Sequence, residues 1–147
     1  MSFFKYTFLL AICCIGYFGH SQDCFLGIGG KDSLMIKKIF QLNEEQIDEM
    51  KTQQEKLAAE TKLIEGQVEL LLAEHPQSKE EDLITMGTKY KELQSQLVKV
   101  SVEADKKLLE TFNAKQYERY LELCKEAYRR PINITPKEYE MPETEEN

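Results

Sequence analysis

The chain has 147 residues, with 26 Asp or Glu against 19 Lys or Arg and a formal net charge of −7 at neutral pH. That acidic balance argues against nucleic acid as a partner, because a phosphate backbone calls for clustered cations. The absence of Trp and a mean hydropathy of −0.50 fit a well-solvated helical protein with a thin core rather than a large globular enzyme.

Residues 1–21 read as a secretory signal peptide. Lys5 precedes an uncharged apolar run over 6–18, and small Gly19 and Ser21 stand before a cleavage point near Ser21/Gln22. The run is too short to span a membrane as a helix, which takes about 20 residues. Cleavage would carry off Lys5 and move the net charge to about −8. It would also remove Cys13 and Cys14, leaving Cys24 and Cys124 to enter an oxidising compartment together.

Residues 22–31 are glycine-rich and read as a flexible lead-in to a helical domain over 32–130. A short helix is expected at about 33–40, with Leu34, Ile36, Ile39 and Phe40 apolar. From 43 to about 74, Ile47, Met50, Gln54, Leu57, Thr61, Ile64, Val68 and Leu71 recur at steps of three and four, which predicts one long helix with a narrow seam. His75 and Pro76 break it, and Ser78 with Glu81 reads as a capping box opening the next helix. There Leu83, Met86, Tyr90, Leu93, Leu97, Val100, Ala104 and Leu108 repeat the pattern. Two long helices with a short break predict an antiparallel hairpin whose closed tip is His75-Pro76. A last helix is expected from 114 to about 128. Residues 131–147 hold three prolines and a glutamate excess, and read as a disordered acidic tail.

The chemistry of a reaction centre is missing from this pattern. His75 is the one histidine after the leader and sits at a turn; no phosphate loop follows a strand, no Ser or Cys has a base nearby, and the Glu residues are spaced as the wet faces of helices. The expectation is therefore a non-enzyme without cofactor or metal that acts through its surfaces. Gly66 and Gly87 lie equally far in sequence from the tip, and the pair reads as a soft point or bend in the hairpin, the alternative being two tolerated surface glycines.

Both helices that begin at the open end of the hairpin start alike. The stretches are Leu42-Asn43-Glu44-Glu45-Gln46 and Phe112-Asn113-Ala114-Lys115-Gln116. Asn is a strong N-cap, and Gln three residues later can return a bond to the cap's own amide. Two such motifs at matching ends of a four-helix pattern, after a signal peptide, resemble the Spy/CpxP family of periplasmic LTXXQ-motif proteins; the likeness covers about residues 31–130. Asn stands here for Thr in both copies, and Phe112 for Leu in the second. The resemblance implies an all-helical, curved homodimer in the periplasm that shields unfolded envelope proteins without ATP or reports envelope stress. It also leaves a second role open, as structural or regulatory partner of one specific envelope protein. Some relatives sense metals through histidines that this chain lacks. The family's cradle is basic on its concave side, whereas this chain is acidic, which shifts client binding toward apolar contact.

Leu63, Leu70, Leu72 and Ile84 fall outside the seam near the closed tip and are the candidate partner-binding residues, the alternative being that they pack between protomers or cover the short helices. Cys24 and Cys124 are expected to form a disulfide within one chain. The soft lead-in can bring Cys24 to the height of Cys124 in the last helix; pairing between protomers is the rival reading.

Overall fold

The computed structural model describes residues 22–30 and 33–137, so the expected leader and the tail from 138 onward lie outside the described residues. Four helices account for 72% of what is described: α1 (Ser33–Phe40), α2 (Glu44–Glu74), α3 (Glu80–Leu109) and α4 (Ala114–Glu126). No strand occurs among the described residues. Two isolated bridges, Asp23 with Arg130 and Asn113 with Lys137, fasten the chain outside the helices.

The long helices α2 and α3 pack along one another. Residues 53–60 of α2 lie beside 100–104 of α3, and 67–74 beside 89–96. Each of the two is roughly 45 Å long at 1.5 Å per residue. Gly66 and Gly87 sit inside unbroken helices, and a Cβ added at either meets nothing within 4 Å. The opening of α3 differs from the expected Ser78–Glu81 box by one residue. Lys79 is the N-cap and has no side-chain oxygen to accept a bond, so only the return half forms, from the Lys79 N–H to Asp82 Oδ2 at 3.3 Å. Glu80, Glu81 and Asp82 add negative charge where the helix dipole favours it.

Burial is concentrated at one end of the pair. Met50, Leu57, Ala104, Leu108, Leu109 and Phe112 join Ile36 and Phe40 of α1 and Tyr117, Tyr120 and Cys124 of α4 in a single cluster. Toward the tip, Ile64 and Leu93 are the last buried seam residues, while Leu83 and Tyr90, expected in the seam, are exposed. The short helices explain the difference, since they cover the open end and nothing described covers the tip.

Candidate partner-binding site

The repeated motif closes the open end. In each copy the Asn side chain accepts from the Gln backbone N–H at 2.8 Å, and the Gln Oε1 accepts from the Asn N–H at 3.1 Å in the first and 3.0 Å in the second. Each Gln then spends its amide nitrogen on the other joint. Gln46 Nε2 donates to Thr111 O at 2.8 Å and Gln116 Nε2 to Phe40 O at 2.9 Å, while each also donates to the other's Oε1 at 2.8 and 3.0 Å. Gln46 is almost fully buried, Leu42 and Phe112 are buried beside it, and the Phe40 and Phe112 rings meet with centroids 4.9 Å apart. The sequence signals the caps because they are local. The cross-link 70 residues apart has no local signal.

Replacing Asn43 or Asn113 with Ala is expected to cost about 1 kcal/mol each, while Thr, which keeps an oxygen at the cap, should cost only a few tenths. Melting temperatures of the four variants check this, and equal losses for Ala and Thr would remove capping as the reason for Asn.

Both segments expected to be loose are held down where they are described. In the lead-in, Cys24 is bonded to Cys124 with Cα atoms 5.6 Å apart, and Ile28 has no exposed surface. The Asp105 carboxylate, buried in α3, accepts from Gly27 N at 3.0 Å and Ile28 N at 3.1 Å. Gln54 Nε2 donates to Ile28 O at 2.6 Å. Gly27 has φ +73, a conformation that costs a side-chain-bearing residue.

After α4 the chain turns back, contrary to the expectation of disorder from 131. Tyr117 donates its hydroxyl to Ile132 O and accepts from Ile134 N. Tyr120 donates to Cys24 O at 2.6 Å and accepts from Ile132 N at 2.8 Å, and Lys137 N reaches Phe112 O. Prolines 131 and 136 forbid a helix here, but an extended strap needs no helical amides. Among the described residues, every buried side-chain nitrogen and oxygen has a partner.

Burial pushes the Asp105 carboxyl above its ordinary value, against the opposing pull of the backbone N–H groups of Gly27, Ile28 and Leu26. A group that holds its proton more tightly folded than unfolded makes stability highest below its ordinary pKa and lowers it as pH rises through the raised folded value. The melting temperature is therefore expected to rise on mild acidification. Asp105→Asn should remove that share of the pH dependence, and parallel curves for the two proteins would contradict the assignment.

The candidate partner-binding side chains are exposed: Leu63 68%, Leu70 58%, Leu72 47% and Ile84 62%. They do not form one patch. Leu63 and Leu70 are seven residues apart and share a line on α2, with Leu70 edging a groove of about 630 Å³ that also includes Leu71 and Leu93. Leu72 lies two residues from Leu70, and Ile84 lies nine from buried Leu93, so each points elsewhere. A larger groove, about 830 Å³, runs between the lead-in and the flank of both long helices. Sequence reading missed it because one wall is the lead-in.

Among the described residues no cluster of His, Cys, Asp and Glu could hold a metal ion, and no helix is long and apolar enough to cross a membrane. Compared with known protein families, curated proteins and solved structures, the chain finds no match.

Proposed function

We propose that the protein is an exported, ATP-independent chaperone-like or envelope-stress protein that holds partly unfolded polypeptides against its helical surface, as its resemblance to the Spy/CpxP proteins implies. The observation that carries this reading is the exposure of Leu63, Leu70, Leu72 and Ile84 on a helix pair whose buried core ends at Ile64 and Leu93. Apolar surface covered there gains about 25 cal/mol per Å² whatever the client's sequence, which suits a binder of unfolded chains. The paired caps lend support as well. A motif written twice serves the open end of the helix pair, leaving the rest of its length free for binding.

The proposal extends to a curved antiparallel hairpin with Gly66 and Gly87 as its soft points, to a homodimer, to the periplasm, and to a role without catalysis, cofactor or metal. With a net charge of −7, apolar contact rather than charge steering supplies most of the attraction.

Suppression of aggregation of two unrelated denatured proteins, without nucleotide, tests the reading. Protection of both is expected, weakened by Leu63→Lys with Leu70→Lys. Protection of neither would contradict it. A stable complex with one native envelope protein, and no protection of denatured ones, would establish the structural or regulatory alternative.

A further inference from the structure

We infer that the groove of about 380 Å³ between α1 and α4 is the seat of the chain's own acidic segment over 138–141, which continues the C-terminal strap. The groove lies beside the crossed caps, whereas Leu63 is about 30 Å further along α2 by helix rise. Its occupancy is therefore independent of the proposed binding of clients.

Two walls of different character make this groove. On the α1 side stands Ile39, 41% exposed, and Met35, 57% exposed, lies one helical turn before it on the same face. On the α4 side stand Lys115 and Arg119, four residues apart and so on one face as well. No carboxylate of the described residues is in the lining. Arg119 pairs with Glu122 at 3.0 Å, but both side chains are about half exposed. An exposed pair of that kind is weakly held, and the guanidinium has donors left for a second carboxylate. Among the described residues Lys115 has no ion-pair partner. Lys31 and Asp32, outside the described residues, precede the opposite end of α1 and have opposite signs.

The strap delivers the occupant. Lys137 N donates to Phe112 O at 2.9 Å, and Asn113 and Lys137 form a parallel bridge. Asn113 is itself in the lining, so the strap reaches the mouth of the groove running in the sense in which Asn113 enters α4. The sequence then reads Glu138-Tyr139-Glu140-Met141-Pro142, and residues 138–147 hold five glutamates and no cation. Lys115 and Arg119 lie two and six residues past Asn113, about 3 and 9 Å along a helix. Glu138 and Glu140 lie one and three residues past Lys137, about 3 and 10 Å along an extended chain. Acids and cations therefore match in register. The alternation matches too, because in an extended segment Glu138 and Glu140 face one way and Tyr139 and Met141 the other, acids to the α4 wall and apolar side chains to Ile39 and Met35. Pro142 biases Met141 to that backbone. A segment tethered at the mouth also outcompetes a separate one, since a short connection gives it an effective concentration on the order of millimolar.

The test uses the full chain with its disulfide intact. The sequence has no Trp, so Tyr139→Trp installs a single indole in the segment, read by quenching with acrylamide, whose neutrality makes it indifferent to the charge around it. The quenching constant is expected to be at least threefold below that of a blocked peptide of residues 137–147 with the same change. Glu138→Lys with Glu140→Lys should raise it to the peptide's value, and so should Lys115→Glu with Arg119→Glu. Combining the two reversals should restore at least half of the protection, which a loss of folding could not do. If the α4 pair lowers the melting temperature, Lys115→Gln with Arg119→Gln takes its place in the release experiment. About 0.5 M NaCl should raise the constant of the unreversed protein, because exposed charges are screened. A constant equal to the peptide's, protection unchanged by both reversals, or a combined variant no better protected than either pair alone would overturn the inference. Protection that fades on dilution of the protein would also overturn it, by assigning the groove to the tail of a second copy.

Discussion

Replacement of Cys24 and Cys124 by Ser is expected to lower the melting temperature by on the order of 10–20 °C. The bridge spans a sequence separation of 100, for which the chain-entropy model gives a stabilisation of about 4.7 kcal/mol as an upper value. Its position adds to this. Tyr120 holds Cys24 O with its hydroxyl, and the backbone between 22–24 and 130 forms a small bridge beside it. Cutting the bond frees a lead-in that carries the fully buried Ile28. Intact mass under non-reducing conditions should show a monomer lighter by two hydrogens than the reduced chain. A covalent dimer, or a melting temperature indifferent to the double substitution, would contradict the assignment.

Phe112→Ala should cost about 3–5 kcal/mol, the range for emptying a buried aromatic site. Phe112 has no exposed surface, its ring lies against Phe40, and its carbonyl accepts from Lys137 N. It stands where α3 passes into α4, so the cavity would open beneath the cross-joined glutamines and the C-terminal strap together. Phe112→Leu, which places there the residue that the LTXXQ pattern has, should cost less than about 1.5 kcal/mol, because Leu fills more of the site than Ala and leaves a smaller cavity. Denaturant midpoints measure both, and equal losses would mean that the site tolerates no repacking.

The helices were legible because their signals are local. Asn at the cap with Gln three residues on, and apolar residues at steps of three and four, depend only on near neighbours along the chain. What escaped is long-range. Asp105 looks like another acid on a wet face until Gly27 and Ile28 are brought to it from 78 and 77 residues away. Ile28, between glycines, has no periodic partner to mark it as core. Ile132 and Ile134 alternate with Asn133, but two residues are too short a pattern to declare an extended segment, and the prolines around them read more strongly as disorder. Near the tip the failure runs the other way. Leu83 and Tyr90 have the spacing of a seam, yet no third element described there completes their burial.

This small fold is tied at one end by the cross-joined caps, the disulfide and the two straps, while the far half of the long-helix pair is thinly packed, and that half is the one proposed to bind. Native-state amide hydrogen exchange tests that division most directly, because it reads local stability along each helix. Slowest exchange is expected at residues 46–57 of α2 and 104–109 of α3, with amides between 64 and 93 exchanging at least about tenfold faster. Uniform protection along both long helices, or slowest exchange beside His75 and Pro76, would contradict it.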